Sequence, residues 1–231
     1  MKTTTTIASL GSALAFFACP GTASAQYSND VRVGIYAVFY HTAADDVKGP
    51  FVPPGVTADV GNLVTEYLAY IRRLSPHLVV ELAAGVPPKS DTIGKGPAKL
   101  GSVPWNGQTV GTVKWLSPTV LLEYMFCEES ARLRPFVGVG INWTHFFNRD
   151  INANGDAALG GPTSVSLKNS IGPAATMGLR YQVLDHWHLT ASFSAAQVES
   201  KLVAHTAGLT RTSDRVNFNP QTIVASVGYS F

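Results

Sequence analysis

Eight segments of this chain alternate apolar residues with small or polar ones at a period of two, which is the side-chain spacing of a β-strand. Each is about the ten residues that a tilted strand needs to cross a bilayer. The pattern therefore predicts an all-β fold. The segments lie near residues 31 to 40, 63 to 73, 78 to 87, 116 to 126, 135 to 147, 171 to 183, 187 to 198 and 218 to 231.

The connections between these segments alternate strictly in length. Long connections, rich in Gly, Pro, Asn, Asp and Thr, span residues 41 to 62, 88 to 115, 148 to 170 and 199 to 217. Short ones span residues 74 to 77, 127 to 134 and 184 to 186. A soluble β-sandwich has no reason for such alternation, whereas membrane barrels have short periplasmic turns and long outer loops. We therefore expect an eight-stranded antiparallel transmembrane β-barrel with four long extracellular loops and three short periplasmic turns.

Composition agrees with strands in lipid. Charged residues make up 14% of the chain, against about 25% in soluble proteins, yet no stretch after Ala25 is apolar enough for a membrane helix. The net charge is +2, and no Lys/Arg cluster of the kind that binds nucleic acid is present. Membrane lipid is the expected partner, and nucleic acid is not. A closed barrel has no obligatory protein partner, so a monomer is expected.

The N-terminus has the features of a secretory signal. Lys2 precedes an apolar stretch that is too short to span a membrane, and Ala23-Ser24-Ala25 forms an A-x-A cleavage pattern. We expect residues 1–25 to be removed and residues 26–231 to form a single barrel domain in the outer membrane of a Gram-negative bacterium. The alternative is a lipoprotein site at Cys19, which the directly following Pro20 disfavours.

Aromatic residues concentrate at the ends of the predicted strands, as they do in the two interfacial belts of membrane barrels. The last strand closes on Phe231, with Tyr229 and Val227 on the same face. One predicted belt, at the turn end, comprises Tyr124, Phe126, Trp187, Tyr229 and Phe231. The other, at the loop end, comprises Phe39, Trp143 and Phe147.

Four charged residues fall on the polar faces of their strands: Arg32, Glu81, Glu123 and Arg180. A charge directed at lipid is costly, so we expect all four in the lumen, with each acid paired to one of the arginines. One interpretation is a salt-bridged plug that fills the narrow interior, and the other is a polar floor beneath a ligand site. The plug is the favoured interpretation.

Two places in the pattern are irregular. The second segment has no clear inward face, because Val64 and Leu68 share one side with Glu66 and Arg72. Its orientation is therefore left open. In the sixth segment, Pro173 cannot donate a ladder hydrogen bond, so a bulge is expected there.

Catalysis is the rival function, because some outer-membrane barrels act on acyl chains with Ser, His and Asp or Asn side chains. The six histidines are His41, His77, His145, His186, His188 and His205, and most lie in or near connections. The chain contains no G-x-S-x-G, H-E-x-x-H or C-x-x-C motif. We expect solvated loop histidines, no enzyme, no cofactor and no metal site.

One segment resembles a known family. Residues 134–144, RPFVGVGINWT, match the pattern R-P-[YF]-V-G-x-G-x-N-[YW]-T of the outer membrane protein W family. Supporting matches are residues 80–84 (VELAA), 116–120 (LSPTV), 166–170 (SLKNS) and 228–231 (GYSF). The resemblance implies an eight-stranded barrel with a hydrophobic channel, through which small apolar compounds pass from outside and leave sideways into the membrane.

The resemblance also implies which residues line this channel. Family members constrict it on the third and sixth strands, and the matching positions here are Ala83 and Ile171, both smaller residues. Ile171 has lipid-facing parity, so it reaches the lumen only if the bulge at Pro173 shifts the register. Together with Leu121, these residues are expected to line an apolar vestibule near the loop end. The predicted function is passive uptake of small hydrophobic molecules; the alternative is a structural or receptor barrel whose loops mediate adhesion or phage or colicin attachment.

Overall fold

The computed structural model describes residues 28–100 and 102–231. The predicted signal peptide and the alternative lipidation site at Cys19 lie outside the described residues. Within the described chain the elements are β1 (Asn29–Tyr40), β2 (Ala43–Ala44), β3 (Thr57–Val60), β4 (Leu63–Arg73), β5 (Leu78–Gly85), β6 (Lys89–Lys95), β7 (Lys99–Leu100), β8 (Val103–Pro104), β9 (Thr109–Leu116), β10 (Thr119–Met125), β11 (Leu133–Ile151), α1 (Ala153–Leu159), β12 (Thr163–Leu167), β13 (Ser170–Gln182), β14 (Trp187–Ala196), β15 (Glu199–Thr206), β16 (Leu209–Asn217) and β17 (Pro220–Ser230).

Eight strands close into an antiparallel barrel, in the order β1, β4, β5, β10, β11, β13, β14 and β17. Closure is made by β1 and β17, whose register runs from Asp30 opposite Ser230 to Tyr40 opposite Pro220. The predicted eight-stranded barrel is confirmed. Closure leaves no barrel strand with an unpaired edge, which removes the usual route to edge-to-edge aggregation.

The outer wall is apolar and the inner wall carries the polar residues. Val139, for example, is 67% exposed and points outward, whereas Asn142 is 4% exposed and points inward. The second barrel strand, β4, resolves the orientation left open by its sequence. Tyr67, Ala69 and Ile71 are buried inside, while Glu66 and Arg72 share the outer face with Val64, Leu68 and Tyr70.

The aromatic side chains form contacts within each belt. At the turn end the ring of Tyr229 lies 5.1 Å from that of Trp187 and 6.5 Å from that of Phe231. At the loop end His145 lies between Trp143 and Phe147, at 6.2 Å and 5.8 Å. These belts mark the two interfaces of the membrane. No helix in the described part of the chain is long and apolar enough to cross a membrane.

The four long connections contain strands of their own. One sheet has the order β3, β6, β9 and the upper part of β11, and the other has the order β12, β15, β16 and β2. Together they form an extracellular extension above the barrel, with a small core that includes Val56, Trp105 and Val110. The sequence does not predict these additional strands, because Gly and Pro residues interrupt the alternation of apolar and polar residues within the connections.

Candidate functional site

The half of the lumen near the short turns is filled by a charged plug, formed by Asp30, Arg32, Glu81, Glu123 and Arg180. Arg32 Nη1 donates a hydrogen bond to Glu81 Oε2 at 2.7 Å. Arg180 Nη1 donates to Asp30 Oδ2 at 2.6 Å. Asp30 shares the inward parity of Arg32 but lies just before the first predicted segment, which starts at residue 31, whereas β1 starts at Asn29.

Aromatic side chains complete the plug. Tyr67 donates its hydroxyl to Glu81 Oε1 at 2.6 Å. The Arg32 guanidinium lies 5.9 Å from the centroid of the Phe136 ring, within the range of a cation–π interaction. Phe136 and Met125 are almost completely buried. The plug therefore fills the lumen with packed side chains, as the narrow interior of an eight-stranded barrel allows.

Two buried groups in the lower half of the lumen, Glu123 in the plug and His188 beside it, differ from what the sequence predicts. Glu123 is 1% exposed, but among the described residues it forms no ion pair with Arg32 or Arg180, and its Oε2 has no hydrogen-bond partner. The expected pairing of Glu123 was therefore wrong.

His188 was expected in solvent, but it is fully buried, because it has the inward parity of β14 and Gly228 opposite it leaves room for the imidazole.

Above the plug, the lumen opens into an apolar vestibule, with Glu81 in its floor. The vestibule holds about 1000 Å³ of empty space, counting its open mouth. The structure places Ala83 and Leu121 in its lining. Both interpretations of the four charges thus describe one arrangement, because the top of the plug is also the floor of the vestibule.

Aromatic side chains that sequence reasoning missed surround the vestibule. Tyr40 and Trp115 meet edge to face at 6.4 Å, and Phe146 and Phe218 lie 5.3 Å apart. The inward parity of Arg32 extends to Tyr40, and that of Asn142 and Thr144 extends to Phe146, so period two could have found these two. Phe218 begins the eighth predicted segment and has the inward, even-numbered parity of that strand, so period two could have found it as well. Trp115 lies in a connection whose pairing the sequence does not fix.

The expected position of Ile171 in the lumen was wrong. Its side chain is 74% exposed on the outer wall. The register between β11 and β13 is regular, with Trp143 opposite Ile171 and Ile141 opposite Pro173, so the expected bulge does not occur. Without a shift in register, Ile171 keeps its lipid-facing parity.

One side of the vestibule carries a hydrogen-bonded polar patch. Asn142 Nδ2 donates to the hydroxyl oxygens of Ser117 at 2.9 Å and Thr119 at 2.8 Å. Thr144 Oγ1 donates to Asn142 Oδ1 at 2.8 Å. The patch satisfies its own polar groups, so it offers a ligand few free hydrogen bonds, and the vestibule remains mainly an apolar site.

The barrel wall is thin beside the vestibule. Ala174, Ala175, Ala195, Ala196 and Pro220 line both the vestibule and a shallow groove on the outside, here called the lateral groove. Pro173 also lines this groove. On either side of the upper end of β14, therefore, small side chains and a proline without an N–H donor form the wall.

The apolar outer wall, the two aromatic belts and the closed barrel define a class of protein, the transmembrane β-barrels of bacterial outer membranes. The model of the OmpW family matches residues 28–231. The chain belongs to the outer membrane protein W family, and it is an outer-membrane protein of a Gram-negative bacterium. This family is not known for enzymes. Across the described chain no His, Cys, Asp and Glu side chains form a group that could hold a metal ion.

Relatives match most of the chain. Outer membrane protein W of Vibrio cholerae is 31% identical over 201 residues, which cover 87% of this chain and 87% of that protein. Outer membrane protein AlkL of Ectopseudomonas oleovorans is 26% identical and covers 77% and 70%. The crystal structure of OprG from Pseudomonas aeruginosa matches with a TM-score of 0.79 at 23% identity, covering 90% of this chain and 97% of that one. The solid-state NMR structure of AlkL matches with a TM-score of 0.64 at 20% identity, covering 92% and 94%.

Proposed function

We propose that this protein mediates passive uptake of small hydrophobic molecules, which bind in the vestibule and leave sideways into the membrane. The observation that carries the proposal is the apolar vestibule closed below by the charged plug and bounded on one side by a thin wall. An apolar solute gains free energy by leaving water for such a lining.

The solute leaves through the thin wall because crossing the charged plug costs more free energy than crossing the wall. Passage through the plug would expose an apolar solute to Arg32, Glu81 and Arg180 and would require their ion pairs to separate. Passage through the wall requires only that small side chains near Ala174 and Ala196 move apart. Because membrane hydrocarbon lies beyond that wall, the sideways route keeps the solute out of water.

Lipid vesicles containing the purified barrel test the proposal. Influx of an apolar solute should be faster than into empty vesicles, and influx of a polar solute of similar size should be unchanged. Ala83→Trp, which places a large ring in the vestibule, should slow apolar influx severalfold. Leu82→Trp is the matched control, because the neighbouring residue points to lipid and is already 48% exposed.

Equal influx with and without the barrel, for every apolar solute tried, would overturn the proposal and favour the structural or receptor function. Slowing by Leu82→Trp as strongly as by Ala83→Trp would also count against the vestibule as the route. Faster influx of the polar solute would indicate an aqueous pore instead.

A further inference from the structure

The extracellular extension encloses a second apolar cavity, here called the upper cavity, between its two sheets. Val56, Trp105, Val110 and Leu202 are among the residues that line it, and it holds about 920 Å³ of empty space, counting its openings. It lies above the vestibule, and Val113 contributes to both linings. Phe51 stands at its rim with a side chain that is 90% exposed.

A buried, unpaired cation faces this cavity. Arg211 is 6% exposed and lines the cavity from β16, and its Nη1 has no hydrogen-bond partner. Its Nε donates to the Pro50 carbonyl at 3.3 Å. In the described part of the chain no carboxylate lies within ion-pair distance of this guanidinium. A buried charge without a partner is costly, so an anion in the cavity would stabilise it.

The charged residues that line the cavity have a net positive charge, because Arg149 and Arg211 outnumber Asp150. Arg149 donates a hydrogen bond to the Phe146 carbonyl at 3.0 Å. Gly49 allows the segment before Phe51 to pack closely over Arg211, since a Cβ there would lie 3.0 Å from Arg211 Cγ. Arg211 is therefore held in place beside the cavity that its side chain lines.

We propose that the upper cavity binds an organic anion with an apolar tail, such as an alkyl carboxylate. The carboxylate accepts hydrogen bonds from Arg211, and the tail packs among the apolar side chains between the sheets. Guanidinium and carboxylate geometries match, and such charge-assisted hydrogen bonds are among the strong ones. Because the cavity lies beyond the aromatic belt, the anion comes from the aqueous phase. This site does not depend on the proposed uptake route.

Fluorescence of Trp105 reports occupancy of the upper cavity. A variant with Trp115, Trp143 and Trp187 replaced by Phe retains Trp105 as its single tryptophan. In nanodiscs of zwitterionic lipid, tail-brominated decanoate should quench Trp105 saturably, and brominated decanol should bind at least about tenfold more weakly, because it lacks the charge. Arg211→Met should weaken decanoate binding by about the same factor and leave decanol binding unchanged. Arg211→Lys should retain most of the preference for the acid.

Equal affinity for acid and alcohol in the variant that retains Arg211 would overturn the proposal, and this comparison needs no folded Arg211 variant. Unchanged decanoate binding in Arg211→Met, with unaltered Trp105 emission, would overturn it as well. Quenching confined to a variant that retains only Trp115 would place the acid in the vestibule, which would remove the upper site but leave the uptake proposal standing. A loss of decanoate affinity in nanodiscs of anionic lipid that is larger with Arg211 than in Arg211→Met would indicate that a lipid headgroup competes for Arg211, contrary to the aqueous source proposed here.

Discussion

Arg32 and Glu81 form an ion pair inside the barrel, with 2.7 Å between Nη1 and Oε2 and neither side chain more than 5% exposed. The register of β5 and β10 places Leu121 opposite Glu81, so Glu123, two residues further along, is a diagonal neighbour of Glu81. Arg32 therefore neutralises the charge of Glu81, a buried acid that has a second acid, Glu123, beside it. This pair closes the vestibule from below.

Arg32→Met should reduce the free energy of unfolding by about 3–5 kcal/mol, because it leaves buried carboxylates without their cation. Unfolding of the barrel in lipid vesicles with urea, followed by its heat-modifiable mobility, measures the change. Arg72→Met is the matched control, since Arg72 lies exposed on the outer face of β4. Equal losses in the two variants would mean that burial of the ion pair has no special role.

Gly228→Ala should destabilise the barrel by about 1–3 kcal/mol, the usual cost of overpacking a filled interior. A Cβ at this position would lie 2.1 Å from His188 Nε2, so the buried imidazole would have to move. Gly61→Ala should be close to neutral, because its nearest neighbour would be 3.8 Å away. The same urea titration compares the two, and a neutral Gly228→Ala would contradict the tight packing of His188.

The barrel could be predicted from the sequence because a period of two is local information. The period gave no orientation where a face was mixed, as in β4, whose lipid-facing side carries Glu66 and Arg72. At Ile171 a resemblance suggested a lumen position that parity opposed, and the side chain lies on the outer wall. In that case parity was the better guide.

The charged plug and the upper cavity depend on contacts between strands that the periodicity of the sequence does not predict. Glu123 and Arg180 have the inward parity, but only the register between strands decides which charge each of them meets. Arg211 lies in a connection rich in polar residues, and nothing in its neighbourhood indicates burial. Its position follows from the pairing of β15 with β16, which is a long-range feature of the fold.

Acid should weaken the edge of the extension at which β3 pairs with β6. Burial alone would raise the pKa of Asp59, but the hydrogen bonds from Lys95 and the Val60 N–H outweigh it and hold the pKa below its usual value of 3.8. The stabilisation is therefore present above pH 3.8 and is lost as the pH falls through the lower pKa of the folded state. Its size is modest, because Lys95 is exposed.

Cleavage by pepsin between about pH 4 and about pH 2 measures this loss. The wild-type extension should become more susceptible relative to Asp59→Asn as the pH falls, because the variant lacks the titrating group. Parallel curves for the two proteins would contradict the assignment to Asp59.

N-terminal sequencing of the protein extracted from outer membranes tests the predicted signal peptide. Cleavage after Ala25 gives a chain that begins at Gln26. Lipidation at Cys19 would instead give a chain that begins at Cys19 and carries the added mass of acyl chains, which an intact-mass measurement distinguishes from a Gln26 terminus blocked by cyclisation. Retention of Met1 would contradict both forms of processing.

Ala196→Trp should slow the transfer of apolar solutes from the vestibule into the membrane if the lateral groove is the exit. Ala196 lines both the vestibule and the groove, so an indole there would fill the thin part of the wall. Ala191→Trp is the matched control, because Ala191 lies lower on β14 and faces lipid. Stopped-flow transfer of an apolar fluorophore into the bilayer of barrel-containing vesicles measures the rate, and equilibrium binding of the same fluorophore to each variant in detergent measures occupancy of the vestibule. Slower transfer in Ala196→Trp, with binding retained and with Ala191→Trp at the wild-type rate, is the expected result, whereas unchanged transfer would rule out exit through this part of the wall.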